Sequence, residues 1–308
     1  MKKLRTAVIG VGYLGRFHAQ KYAQLENSEL IAVVDVNEEQ GRAVAEELSL
    51  PFYTDPEAVL DKVDAVSIVV PTVNHYAIAK MFLEHDIHVL LEKPFAATLE
   101  EARELKTLAE DKKLCLQIGH LERFNVVFTE FKALIDRPRF IENIRIAPFP
   151  KRGTDVDVVL DLMIHDIDLI LAVVQEFPSK IQAVGVPILS PSNDLANARL
   201  EFPGGCVANL TASRVSDKAE RKMRIFQQGL YLSLDYGTGQ ARRLKVAESL
   251  ELSPEDLKPE TYQLERGDAL LLEITSFLES VATQSPVAVP ALAGLQAMEV
   301  AWEIKRQL

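Results

Sequence analysis

Through the first 120 residues, short and continuously apolar runs alternate with amphipathic stretches, and few sequence patterns restrict a fold as strongly. The runs are "RTAVIG" (5–10), "LIAVVD" (30–35), "AVSIVV" (65–70), "HVLLE" (88–92) and "LCLQIG" (114–119), separated by helix-like segments such as "NEEQGRAVAEELS" and "LEEARELKTLAEDKK". Strands that are apolar at every position have both faces covered, and β–α alternation of this kind builds a parallel, doubly wound sheet. After residue 125 the rhythm changes. Longer, more alternating segments ("IENIRIAPF", "KIQAVGVPI", "LANARLEF", "CVANLTAS", "KMRIFQQ") are punctuated by "PSND", "FPGG" and "YGTG", as in a mostly antiparallel sheet with one face against helices. The expected fold class is α/β, with a parallel-sheet domain over 1–120 and an α+β domain with a large, mostly antiparallel sheet over 121–308. The 308 residues suffice for two such cores.

Composition excludes several classes. A net charge of −11 with acids and bases well mixed opposes non-specific nucleic-acid binding, which depends on Lys and Arg neutralising phosphates. No apolar run reaches the length of a membrane span, and "MKKLRTAVIG" passes straight into a strand with no signal core. A cytoplasmic protein without nucleic-acid or membrane partners is expected. Cys115 and Cys206 have neither metal-ligand nor redox-pair spacing and read as free core cysteines.

"AVIGVGYLG" carries Gly10, Gly12 and Gly15 in G-x-G-x-x-G spacing between a strand and a helix, with Asp35 closing the next strand twenty residues past Gly15. That is the context a dinucleotide site requires, with a glycine turn that binds no ligand as the plain alternative. Gly10 permits the tight turn, Gly12 lets backbone approach a pyrophosphate, and Gly15 lets helix and strand pack closely. Tyr13 and Leu14 begin the helix whose free N–H groups would face the phosphates. Asp35 would accept the ribose hydroxyls and repel a 2′-phosphate, and no arginine directly follows it, so NAD is expected over NADP. FAD remains possible in principle, although the chain is short for an FAD enzyme with a separate substrate domain. Thr72 and Asn74 lie on another strand-to-helix loop at the same sheet edge and are further cofactor-side candidates. Glu92 and Lys93, before Pro94, end the strand 88–92 where ligands of open α/β sheets sit.

The segment "DVVLDLMIHDIDLIL" (157–171) sets charges among leucines and isoleucines, and reads as one helix. Asp161, His165 and Asp168 would share a face at i, i+4, i+7. From the residues alone this row is a site, a salt-bridged structural feature or a solvated edge.

"VIGVGYLG", "PTVNHYAIAKMFLEHDIHVLLEKPFA", "QIGHLERFN" and "LDLMIHDIDLI" together resemble the glucose–fructose oxidoreductase, inositol dehydrogenase and MocA (Gfo/Idh/MocA) family, over about 170 residues in the right order. The resemblance implies NAD-dependent oxidation of a secondary hydroxyl on a sugar or polyol, with Lys93, Asp161 and His165 as the catalytic set and Lys93–Pro94 often cis. It implies a cofactor contact for Lys93 and a supporting one for His75. It also places Arg123 near nicotinamide or substrate, although Val126 stands where many members have proline. The wording of the 157–171 helix is most similar to nucleotide-sugar members that oxidise the 3-hydroxyl of a UDP-N-acetyl-hexosamine on the way to lipid A. Lys151 and Arg152, shortly before that helix, are candidates to grip an anionic group, with exposed loop charge as the plain alternative. Asp161 and His165 then belong to substrate binding as well.

A metal at Asp161 and His165 is not expected, since a positioned lysine removes the need for a Lewis acid. Asp155 and Asp166 are expected to face solvent, His18 to be a packed core histidine, and His85 and His88 to be structural; His120 is left as a site-wall or domain-joint residue. The alternatives to a nucleotide-sugar enzyme are a dehydrogenase of a free sugar or polyol such as inositol, and a non-catalytic NAD-binding sensor. An uncovered face of the antiparallel sheet would pair with another subunit, as the family's dimers and tetramers do.

Overall fold

The computed structural model describes residues 3–149, 157–245 and 258–308. By contacts the chain divides into two compact units, Met1–Leu121 with Asp268–Leu295, and Glu122–Gly267 with Gln296–Leu308. In the sequence division 268–295 falls in the second domain. Here it packs in the first, because the helix Ala269–Thr283 buries Leu270, Ile274, Phe277, Leu278 and Val281 in that unit's core beside Val8, Ala19, Tyr22 and Leu90.

The first unit is a six-stranded parallel sheet in the order β3-β2-β1-β4-β5-β6. Its strands are β1 (Leu4–Ile9), β2 (Ser28–Val34), β3 (Phe52–Tyr53), β4 (Ala65–Ile68), β5 (His88–Glu92) and β6 (Leu116–Gly119). Five of them are the apolar runs of the sequence. The sixth, β3, spans two residues and has no run to announce it. The helices α1 (Tyr13–Gln24), α2 (Glu38–Leu48), α3 (His75–Glu84) and α4 (Leu99–Asp111) make the crossovers. Local chemistry fixes their starts: Asn37 accepts the Gln40 N–H to open α2, and Thr98 with Glu101 forms a reciprocal capping box at α4. Strand order reverses between β1 and β4, so the crevice beyond their carboxyl ends is where such a sheet takes its ligand.

The second unit is an eight-stranded sheet, β14-β13-β12-β11-β7-β10-β9-β8. Its elements in chain order are α5 (Val126–Phe131), β7 (Phe140–Ile146), α6 (Ile164–Val174), β8 (Lys180–Val186), β9 (Leu195–Glu201), β10 (Val207–Ser213), β11 (Glu220–Gln227), β12 (Leu230–Asp235), β13 (Gln240–Lys245) and β14 (Glu260–Gln263). All pairs are antiparallel except β7 with β10. Residues alternate between a buried and a half-exposed face along β7, β9 and β10. The buried face is built of small and branched residues, Ala196, Ala198, Leu200, Ala208, Leu210 and Ala212. Against β7 and β10 packs the helical segment 158–174, through an apolar side that includes Val159, Met163, Ile164, Ile167 and Ile170. Cys206 is buried in this unit and Cys115 half-buried in the first, both as free thiols.

Candidate active site

The glycine turn follows β1. Gly10 has φ +84°, and a Cβ there would lie 2.4 Å from the Val69 carbonyl oxygen; one on Gly15 would lie 1.9 Å from the Gly10 carbonyl oxygen. Both positions therefore exclude any side chain by packing alone. Gly12 differs. A Cβ there would meet nothing closer than Gln40 Nε2 at 3.4 Å, so the protein's own packing does not demand glycine. What its hydrogen preserves is open backbone at the N-terminus of α1, where Gly12 is the N-cap and supplies no side-chain cap. The first-turn N–H groups, Tyr13 and Leu14 among them, are thus available to an anion.

Asp35 ends β2 beside this turn. Its Oδ2 accepts the Val11 N–H at 2.8 Å and its Oδ1 the Asn37 N–H at 2.8 Å, which fixes the carboxylate while each oxygen keeps a second lone pair. Gln40 Nε2 donates to the Val11 carbonyl at 2.8 Å and closes the turn from the α2 side. The most exposed large apolar side chains among the described residues are Val36 (89%), Tyr13 (86%) and Val73 (76%). Tyr13 opens α1 after β1, and Val36 and Val73 follow β2 and β4, so all three stand at the carboxyl edge of this sheet. Apolar groups left in solvent at the mouth of an anion-binding turn suit the flat rings of a dinucleotide.

Thr72 and Asn74 form a short 3₁₀ turn on the β4–α3 loop. His75 is buried, with Nδ1 2.9 Å from the Pro94 carbonyl oxygen and Nε2 2.9 Å from that of Val70. It ties the loop after β4 to the turn after β5, and burial holds its pKa below the ordinary histidine value despite those two bonds. That second turn carries half-buried Lys93, joined to Pro94 by a cis peptide as the resemblance implied. Glu92 is buried beneath it and accepts the Lys93 N–H. His18 is indeed packed, fully buried in the core. His88 accepts the Cys115 N–H, and exposed His85 donates to the Met81 carbonyl; neither stands at the ligand edge.

In the second unit the segment holding Asp161 and His165 is not one regular α-helix. Residues Val159–Met163 form a π turn, with the Ile164 N–H donating to Val159 O, before α6 continues. The predicted i, i+4, i+7 row is therefore broken between Asp161 and His165, because the wider turn inserts a residue into the register. Asp161 and His165 are both half-buried, and Asp168 is buried at 1% exposure. The turn is anchored at its start, where Asp157 Oδ1 accepts the Val159 N–H and Oδ2 accepts Asn193 Nδ2.

Asp166 corrects the sequence expectation. It is buried, not solvent-facing: Arg145 from β7 grips it with Nε at 2.8 Å and Nη2 at 2.7 Å, and gives Nη1 to Glu122 at 3.0 Å. Burial raises the Asp166 pKa and the Arg145 charge opposes that rise. Asp168 forms a second bidentate pair, with Arg123 Nε at 2.7 Å and Nη2 at 2.6 Å. Arg123, a substrate-side candidate, is thus first a clamp on α6, its side chain still 18% exposed. Two guanidiniums hold the helix, Arg145 at Asp166, next to His165 in the chain, and Arg123 at Asp168. Arg145 and Glu122 escaped the sequence reading. The available signal was an aspartate inside "MIHDIDLIL", which must find a cation if it is buried. Lys151, Arg152 and Asp155 lie outside the described residues.

A glycine turn on a doubly wound sheet, with Asp35 beside it and the Glu-Lys-Pro turn at the same ligand edge, is the arrangement of a nicotinamide-dependent oxidoreductase. Residues 4–120 match the Gfo/Idh/MocA oxidoreductase family, NAD-binding Rossmann fold, and residues 118–229 match the Gfo/Idh/MocA C-terminal domain. The chain belongs to the Gfo/Idh/MocA family. It is 40% identical over 306 residues to the UDP-N-acetylglucosamine 3-dehydrogenase of Acidithiobacillus ferrooxidans, covering 99% of this chain and 97% of that protein. A solved structure of that enzyme superposes with TM-score 0.93 at 39% identity, over 100% of this chain and 98% of the other. The NAD(+)-dependent scyllo-inositol 2-dehydrogenase of Bacillus subtilis is 26% identical, over 91% of this chain and 86% of its own. A scyllo-inositol dehydrogenase of Lactobacillus casei, solved with NAD(H) and scyllo-inositol, shares the fold at TM-score 0.83 and 21% identity, covering 100% and 97%.

Proposed function

We propose that this protein oxidises the 3-hydroxyl of a UDP-N-acetyl-hexosamine, UDP-N-acetylglucosamine in the first instance, to the ketone. The observation that carries the substrate is the full-length likeness to the Acidithiobacillus enzyme, in a chain that keeps Lys93, Asp161 and His165. The Gly10–Gly15 turn would hold the pyrophosphate and Asp35 the adenosine ribose. Tyr13, Leu14, Thr72, Asn74, His75 and Glu92 line or support that edge. Bound NAD supplies the hydride acceptor.

The chain's own groups manage the proton and the charge. A neutral His165 accepts the hydroxyl proton as the carbon gives up its hydride. The Lys93 ammonium stabilises the alkoxide that develops on that oxygen. Asp161 orients the imidazole or a neighbouring hydroxyl, and Arg123, Lys151 and Arg152 serve the anionic part of the substrate. Free inositol or another polyol is the second reading, favoured by the Bacillus relative.

The protein is further proposed to be cytoplasmic; among the described residues no helix is long and apolar enough to cross a membrane. It is also proposed to be a homodimer or homotetramer joined through the large sheet. Support comes from Val184 and Val186, on edge strand β8, which are 57% and 42% exposed. Light scattering reads the assembly directly, and a monomeric mass would reject it.

The activity is tested by following NADH formation from NAD with UDP-N-acetylglucosamine, UDP-glucose, inositol and glucose in parallel. A signal confined to UDP-N-acetylglucosamine is expected. A signal with free polyols moves the assignment to the second reading, and NAD binding with silence toward every sugar favours a non-catalytic sensor.

A further inference from the structure

Beneath the Lys93–Pro94 turn runs a chain of buried polar side chains for which hydride transfer has no direct use. His18 and Tyr22 stand one turn apart on α1, the helix that opens at the glycine turn, and both are fully buried. Tyr22 Oη lies 2.9 Å from Ser67 Oγ on β4, Ser67 Oγ lies 3.2 Å from His18 Nδ1, and His18 Nε2 lies 3.2 Å from Glu92 Oε1. The other carboxylate oxygen, Oε2, accepts the Lys93 backbone N–H at 3.2 Å. With a neutral imidazole protonated at Nε2, the tautomer we assign from these partners, every donor points one way. Tyr22 donates to Ser67, Ser67 to His18, His18 to Glu92.

Two neighbours shape the end of this chain. Gly119 on β6 leaves the carboxylate its space, since a Cβ there would lie 2.9 Å from it. Glu273, on the helix Ala269–Thr283, is wholly buried. Burial, with the Glu92 charge nearby, raises its pKa well above the ordinary carboxylate value, which favours its neutral form. Burial also raises the Tyr22 phenol, which keeps it a donor.

We propose that Tyr22, Ser67 and His18 are positioning residues that hold the Glu92 carboxylate in one orientation, and through it place Lys93 relative to the glycine-turn helix. The catalytic consequence rests on the role given to Lys93 above; the placement does not. A glutamate has three side-chain torsions, and without the histidine its carboxylate could settle in other staggered positions. The chain spans α1, β4 and β5, so the helix that opens the cofactor site and the turn that presents Lys93 share one hydrogen-bonded support.

The test is competitive acylation of lysines in the NAD-loaded full chain, read by peptide mass spectrometry, with Lys80 and Lys112 as internal standards because both sit in surface ion pairs. Ser67→Ala should change the Lys93 rate about threefold or more and leave the two standards unchanged; Tyr22→Phe should do the same more weakly, and serves alone if Ser67→Ala does not fold. Ser67→Ala should also lower kcat about tenfold while the NAD KM stays within about twofold, a split that lowered stability alone does not produce. Lys93 reactivity unchanged in the folded variants overturns the proposal whatever the turnover. If Lys93 reactivity responds but the wild-type protein oxidises no sugar, the relay stands and the dehydrogenase reading falls.

Discussion

The two units bury their polar side chains in opposite ways. In the parallel-sheet unit the buried polar groups are joined mostly by hydrogen bonds through hydroxyls and imidazoles, as in Thr6–Ser28 and Tyr22–Ser67–His18. In the eight-stranded unit they are full ion pairs around guanidiniums: Arg145 with Asp166 and Glu122, Arg123 with Asp168, and Arg214 with Asp194. The difference follows from what each unit presents. The first presents backbone, N–H groups at a helix start, and needs its sheet edge shaped by glycines. The second presents side chains on a helix that begins with a π turn, and that helix must be held in rotation and height by bonds stiffer than apolar packing gives.

The ion pairs offer the largest way to break that contrast. Arg145→Ala strands the buried Asp166 and leaves Glu122 only Asn125 and the longer contact to Arg221, and should cost about 3–5 kcal/mol, read as a lowered denaturant midpoint. A loss no larger than that of an exposed pair would remove the clamp from the account. Next come the glycines. Gly15→Ala forces a Cβ into the Gly10 carbonyl and should cost about 1–3 kcal/mol as an overpacked contact, with NAD binding lost alongside. Gly12→Ala meets only Gln40 Nε2, at ordinary contact distance, so its stability should stay within about 0.5 kcal/mol while NAD affinity falls. Titration of both variants with NAD, beside their melting curves, separates the two roles; equal behaviour would erase the distinction.

Glu273→Gln gives the smallest effect and sharpens the first unit's side of the comparison. A carboxyl whose folded pKa is raised takes up protons on folding. Its native stability is therefore fully present below its unfolded pKa and is lost as pH rises toward the folded value. The neutral variant escapes that loss. Its melting temperature should exceed that of the wild type at about pH 8 by more than at about pH 5. A pH-independent difference would mean that Glu273 is not held neutral.

Legibility in the sequence divides along the same line. The glycine turn, Asp35 and the Glu-Lys-Pro end of β5 depend on residues close in the chain, and spacing alone brought them to one edge. The clamp on α6 joins residues 21 and 45 positions apart, and no local pattern announces such a pair, so buried Asp166 passed for a solvated one. The π turn escaped because its residues differ in no visible way from those of an α-helix. The helix Ala269–Thr283 went unread, since nothing local to it points to a core built some 150 residues earlier, where Gln117 donates to its Glu273 carbonyl across 156 positions. Glu122, beside the candidate Arg123, was in plain view; its function as a counter-ion needed Arg145 to be placed first.

The proposal made for Lys93 is that it carries the chemistry of an NAD-dependent sugar oxidation, while its contact with the cofactor adds little to NAD affinity. Its most direct test is NADH formation from UDP-N-acetylglucosamine by the wild-type protein and by Lys93→Met, with NAD affinity measured on both. Turnover is expected in the wild type, with a fall of about 10²-fold or more in the variant and NAD affinity changed by no more than about threefold. Turnover in Lys93→Met equal to that of the wild type would contradict the proposal.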